Sequence, residues 1–320
     1  MAKKTTKSDN LRRAKAAKND EFYTQISDIE KEMNAYYDHN PKVFRGKTIL
    51  CPCDDPGWSN FTKYFTMNFK RLGIKKLICT SYNKEEGGHG KMLVLEGDTN
   101  GNGKIEADDI VVTEMEGNGD FDSPEVKNLL KKADFVITNP PFSLFRKFIA
   151  WIMESGKKFS IIGNMNAVSC KDVFPLIKNN RAWLGASPRN MVFKRPDGST
   201  EQVNAVWFTN IDHDVRHEHL DLSTKKQLEK IGVKFKKYDN YNAIDVSKGV
   251  HIPRDYKGVM GVPITWLDKY CPEQFEIVGL TASWDESDEM KKLKTSNEHR
   301  HNPIINGTEI YWRILVRHKR

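Results

Sequence analysis

No run of apolar residues in this chain approaches the ~18 needed to cross a bilayer, so no membrane span is expected. The N-terminus is basic, but no hydrophobic stretch follows it, and a secretory signal is not expected either. Cysteine is sparse. The five (Cys51, Cys53, Cys79, Cys170, Cys271) are odd in number and scattered, which excludes a disulfide framework and points to reduced thiols in a cytoplasm. Cys51 and Cys53 alternate on one predicted strand with no second Cys/His pair nearby, so zinc is not expected and no metal ligand is assigned. Internal repeats are missing. Also missing is the glycine-rich turn that cradles a dinucleotide or nucleotide phosphate. Acids are outnumbered by bases, 43 to 51, giving a net charge of +8 and a pI near 9.0. A polyanionic partner fits that balance.

What is present is an alternation of strand and helix patterns. Lys47 to Cys53 reads as a first strand, Asp54-Asp55-Pro56-Gly57 as a turn, Asn60 to Leu72 as a helix stopped by Gly73, and Lys76 to Thr80 as a second strand. This is a βαβ unit whose first turn is the usual cofactor position. Asp54 and Asp55 would repel a phosphate there and would attract a cation. Ala133 to Phe142 is the second landmark. Phe135, Val136 and Ile137 form an uninterrupted buried-strand run. Asn139, Pro140, Pro141 and Phe142 then end it, because proline donates nothing to a sheet ladder. An amide oxygen, a fixed backbone carbonyl and an aromatic face suit a planar group bearing an NH2. Helices are expected over 27–38, 124–132 and 143–154, with a further strand over 159–163. The fold class is therefore α/β, with a parallel, doubly wound sheet.

Residues 84–119 form a Gly-rich insertion. Within it Asp98, Asn100, Asn102 and Asp109 fall at the spacing of a calcium-binding loop, with Asp where Glu is usual at the last position. The preceding Met92 to Leu95 looks like a strand rather than an entering helix, and a metal-free turn is the preferred reading. After about residue 180 aromatics, turns and basic residues dominate, including the strand-like Val203 to Thr209 and Ile310 to Val316, the latter with Arg313 interleaved. His213, His217 and His219 are read as surface or DNA-facing rather than metal ligands.

The Asn-Pro-Pro-Phe motif, Asp20 to Gln25 ahead of the first helix, Cys51-Pro-Cys-Asp-Asp-Pro56 with Ser59-Asn60-Phe61, Gly117 to Phe121, Ile161 to Asn164 and Val262 to Gly279 together resemble the EcoRI-type adenine-specific DNA methyltransferases. The resemblance implies a Rossmann-like domain that uses S-adenosyl-L-methionine (AdoMet) and methylates N6 of an adenine flipped out of duplex DNA. It implies a catalytic set of Asn139, Pro140, Pro141 and Phe142. For the cofactor it implies Tyr23, Thr24, Cys53, Asp54, Asp55, Asp120, Phe121 and Asn139. The acid that usually holds the ribose has no clear counterpart after the second strand. The domains expected are a basic arm (1–19) disordered without DNA, a catalytic domain (20–180) and a smaller target-recognition region (181–320). Double-stranded DNA is the implied partner, with room for a cognate restriction endonuclease acting separately, in a bacterial or phage-encoded protein of the cytoplasm. Other readings stay open from the residues alone: a protein-glutamine or RNA amino-methyltransferase, or a DNA-binding protein without catalysis.

Overall fold

A computed structural model describes residues 23–194, 198–295 and 301–319. The expected basic arm, and Asp20 to Phe22 beside it, lie outside the described residues. The chain divides into two compact units. One holds residues up to Met165 and then Ser187–Asp212; the other holds Asn166–Ala186 and the chain from His213 onward. Residues 187–212, expected within the target-recognition region, thus lie in the first unit.

The first unit is built on strands β1 (Thr48–Cys51), β2 (Lys76–Thr80), β3 (Lys91–Leu95), β4 (Ile110–Glu114), β5 (Phe135–Thr138) and β6 (Lys158–Asn164), with a hairpin of β7 (Met191–Lys194) and β8 (Thr200–Val203), and with β9 (Ala205–Thr209). Within this unit the main sheet runs β4-β3-β2-β1-β5-β6-β9. β2, β1, β5 and β6 are parallel neighbours; β3, β4 and β9 join antiparallel at the flanks. The four parallel strands are almost entirely buried, which is why they read as unbroken apolar runs rather than alternating ones. The chain leaves β1 toward β2 on one side and later returns as β5 on the other. The strand order therefore reverses between β1 and β5, and open α/β sheets bind their ligands beyond the carboxyl ends at such a reversal.

Helix α1 (Ile26–His39) packs Ile29, Met33 and Tyr36 inward. It also buries Glu32, which accepts from Tyr36 Oη at 2.5 Å and from the Ser187 N–H at 2.7 Å. Those bonds fasten the point where the chain re-enters this unit. The helix expected over 60–72 is split into α2 (Asn60–Met67) and α3 (Phe69–Leu72). At the break, the Asn68 side chain donates to the Tyr64 carbonyl at 2.9 Å, a local bond that competes with the helical ladder. Gly73 stops α3 in the left-handed conformation, φ 65°. Helix α4 (Pro124–Lys132) begins on Ser123, whose hydroxyl caps Val126 N–H. Helix α5 (Phe145–Ser155) follows a 3-10 turn over Phe142–Leu144. Phe61 against Trp207 and Phe145 against Phe208 pack the helices onto β9.

In the insertion, Asp98 accepts from the N–H groups of Asn102 and Gly103, and Lys70 Nζ sits 3.1 Å from its Oδ2. Asp109 accepts from Thr99 and Glu106. These carboxylates are therefore held by protein donors. No cluster of three His, Cys, Asp or Glu suited to a metal occurs among the described residues.

The second unit contains a four-stranded sheet of β10 (Ala243–Asp245), β11 (Val259–Val262), β12 (Phe275–Leu280) and β13 (Ile314–His318), in the order β10-β11-β13-β12. The strand expected from Ile310 begins only at Ile314. His213 is buried, against expectation. Its Nε2 lies 3.0 Å from the Leu184 carbonyl, and this polar contact offsets the cost of burying the ring. His217 reaches Glu273 at 3.0 Å, and His219 is exposed. No helix among the described residues is long and apolar enough to cross a membrane.

Candidate active site

The site lies in the first unit, at the carboxyl ends of β1, β2 and β5. Asp54 is its keystone. Its backbone N–H donates to the Thr80 carbonyl at the end of β2. Its Oδ2 accepts from Thr138 Oγ1 at 2.5 Å, at the end of β5, and its Oδ1 accepts from Ser59 Oγ at 2.7 Å. One side chain thus ties the turn after β1 to the residue immediately before Asn139. The carboxyl is 4% exposed, and burial pushes its pKa up to about 7. The hydrogen bonds from Thr138 and Ser59 pull the other way, and neighbouring Asp55 pushes up. Burial, with the charge of Asp54 behind it, also raises the Cys53 thiol.

Asp55 is half-buried and caps the turn by accepting from the Gly57 N–H at 2.7 Å. Pro140 is buried behind Asn139, and both prolines fix the backbone through the tip. Phe142 stands edge-on to Phe193 of β7, ring centroids 6.0 Å apart, and packs on the core that also holds Phe135 and Ile137. Tyr23 pairs through its backbone with Lys194 at 2.8 and 3.1 Å, so the segment entering α1 is pinned to the β7–β8 hairpin. Its ring tilts against Trp58 at 4.6 Å. Thr24 is buried and its carbonyl accepts from Asn60 Nδ2 at 2.8 Å.

Asp120 and Phe121 reach the site on a loop that crosses the end of β2. Gly119, at φ +78°, lies so close to Ser81 that an added Cβ would sit 2.1 Å from its carbonyl oxygen, and Gly90 is nearly as tight. Asp120 Oδ1 accepts from the Asp122 N–H at 2.8 Å. Phe121 is buried edge-on against Phe148 and Trp151, with Lys147 Nζ 5.4 Å from the ring centre. The structure therefore brings Cys53, Asp54 and Asn139 together through Thr138. It places Tyr23 and Thr24 beside the α2 entrance and Asp120 with Phe121 by β2. Thr138 and Trp58 were not singled out from the sequence, and Ser59 entered only within a block of the resemblance, with no role of its own. A polar residue closing an apolar strand just before Asn139 was the available signal for Thr138; Ser59 reads only as a helix cap.

Two hydroxyls in this region, Thr24 Oγ1 and Thr80 Oγ1, are buried with no hydrogen-bond partner among the described residues. Buried polar atoms in folded proteins are normally satisfied, so such atoms near the strand reversal suit a bound polar ligand. With the carboxylates of Asp55 and Asp120 and the Tyr23–Trp58 rings, the donor and acceptor set fits a cationic, hydroxyl-bearing cofactor better than a phosphate.

The family described as adenine-specific methyltransferase EcoRI matches residues 10–319. The type II methyltransferase M.EcoRI of Escherichia coli is 42% identical over 97% of this chain and 96% of its own length. M.MpnI of Mycoplasma pneumoniae is 34% identical over 96% of this chain and 97% of its own. M.MgeORF184P of Mycoplasma genitalium is also 34% identical, over 96% of this chain and 98% of its own. No solved structure matches. With the strand order reversed between β1 and β5, the Asn-Pro-Pro-Phe tip fastened to the turn after β1 and relatives aligned along nearly the whole length, the chain belongs to the EcoRI family of adenine-specific methyltransferases.

Proposed function

We propose that this site-specific DNA adenine methyltransferase works by gripping the N6 amine of an extruded adenine at the tip of β5. A stacked, paired adenine does not present its amine lone pair to a reagent, so the base must leave the duplex, at a cost of a few kcal/mol. The Asn139 side-chain oxygen and the Pro140 carbonyl then accept the two N6 hydrogens. That pyramidalises the nitrogen and frees its lone pair. Phe142 offers a ring face to the base. AdoMet, when bound, supplies an electrophilic methyl group on a sulfonium. Tyr23, Thr24, Cys53, Asp55, Asp120 and Phe121 would hold it, with the Asp54 carboxyl acting from behind to keep the two strand ends in register. The Thr24 and Thr80 hydroxyls would take up its polar groups. No strong base is required, since the N6 proton is lost after the methyl has arrived, and alignment supplies most of the acceleration.

The observation that carries this reading is the Thr138–Asp54–Ser59 link, which fixes the Asn-Pro-Pro-Phe tip to the turn after β1. The test is Asn139→Ala. It should lower methyl transfer from tritiated AdoMet to DNA by on the order of 10²–10³-fold or more, while calorimetry still detects AdoMet binding. Near-normal turnover would overturn the assignment. Partnership with a cognate restriction endonuclease belongs to the same reading, tested by whether the DNA methylated here resists one nuclease from the same cell.

A further inference from the structure

Between Lys225 and Lys237 the chain carries six lysines (225, 226, 230, 234, 236 and 237) and one acid, Glu229. In the second unit Lys225 takes up Glu229 at 3.8 Å and lies over the Phe235 ring. Lys226, Lys230, Lys234, Lys236 and Lys237 are exposed, and none has a carboxylate partner within 4.0 Å among the described residues. The end of this strip is joined to an aromatic step. The Lys236 carbonyl accepts from the Asp245 N–H at 2.7 Å, and Asp245 Oδ1 accepts from Arg313 Nε at 3.0 Å and from Tyr238 Oη at 2.8 Å. Arg313 Nη1 in turn donates to the carbonyls of Tyr311 and Trp312 at 3.0 and 3.3 Å. Arg313 is thus spent on holding the backbone, not offered to solvent. What it holds up is Tyr311, 62% exposed, stacked on Trp312 with ring centroids 5.4 Å apart and planes at 29°.

A large exposed ring on a second ring is costly to leave in water, and a lysine strip without counter-charges is costly to assemble. Both costs fall if the occupant is a polymer with phosphates at regular spacing and flat apolar surfaces between them. From this surface we infer that Lys234, Lys236 and Lys237 contact the phosphate backbone of duplex DNA, while Tyr311 packs on the sugar and base edges beside them. The inference rests on the DNA-methyltransferase reading and adds to it a surface of the second unit distant in sequence from the Asn139 motif.

The test is binding of the full-length protein to a methylatable duplex, followed by fluorescence anisotropy across a salt series. Each phosphate contact contributes about 0.9 to the slope of log K against log salt. Replacing Lys234, Lys236 and Lys237 together by Gln should therefore reduce the slope by roughly 2–3 and raise the KM for DNA. Tyr311→Ala should weaken binding about tenfold with the slope unchanged. A slope within about 0.5 of wild type for the triple variant, at an unchanged melting temperature, overturns the phosphate assignment. If the triple variant fails to fold, the surface is judged by Tyr311→Ala alone, and unchanged affinity there overturns it. Wild-type protein that methylates no DNA at all would instead sink the functional reading, which separates the two failures.

Discussion

Replacing Asp54 by asparagine tests whether the keystone of the site holds a proton. The carboxyl titrates near 3.8 in an open chain and near 7 in the fold, where burial disfavours its charge. Between those values the native state keeps a proton that the unfolded state has lost, so stability falls as pH rises and the full loss is reached above the folded value. The difference of about 3 units, at about 1.4 kcal/mol each, makes roughly 4 kcal/mol across the window, and about 3 kcal/mol of that falls between pH 5 and pH 8. Asparagine has the same shape and no such proton, and the Thr138 hydroxyl accepts as readily as it donates. Urea unfolding of both proteins at the two pH values should therefore show the wild type losing about 3 kcal/mol relative to Asp54→Asn on going from acid to alkaline conditions. If the two proteins run parallel, with a gap constant to about 0.5 kcal/mol, then Asp54 ionises inside the fold as it does in water, and the reasoning is refuted.

Other outcomes follow from other parts of the molecule. Phe142→Ala should raise the KM for DNA and reduce base extrusion, read as lower fluorescence from 2-aminopurine at the target position, while AdoMet affinity changes less than threefold. Gly119→Ala must move the Ser81 backbone and hold alanine at φ +78°, so it should lower stability by about 2 kcal/mol or more and weaken AdoMet binding, by urea midpoint and calorimetry. Because Lys70 and backbone N–H groups already hold Asp98, chelation with EGTA should leave melting temperature and activity unchanged, and a calcium-dependent rise in melting temperature would contradict that.

The parallel strands were legible because burial on both faces leaves them no polar alternation, and Pro124–Lys132 because its caps are local. Signals from far along the chain were not legible. Thr138, the partner that gives Asp54 its meaning, lies 84 residues from it, and no periodicity connects them. Val203 to Thr209 reads as one strand, yet it divides at Asn204, whose carbonyl accepts from the Met165 N–H. Residues before the break pair in a hairpin and those after it join the main sheet. Likewise Ile310 to Val316 looks continuous until Arg313 folds back onto the carbonyls of Tyr311 and Trp312. Phe121 was singled out from its position ahead of the catalytic strand, but its packing on Phe148 and Trp151 was not legible there, because it depends on α5, which comes later in the chain.

The first unit is written in two instalments, interrupted by residues 166–186. Stopping translation anywhere between Met165 and Asn204 would strip β9 from β6, leaving the Ser160–Asn164 edge bare and uncovering Phe61 and Phe145 where Trp207 and Phe208 now lie. Such a product would be prone to clump rather than to fold. A minimal module would have to splice the hairpin and β9 back on with a short tether in place of the excursion, so the order in which the ribosome delivers these segments delays completion of the catalytic half until the chain has already begun the other.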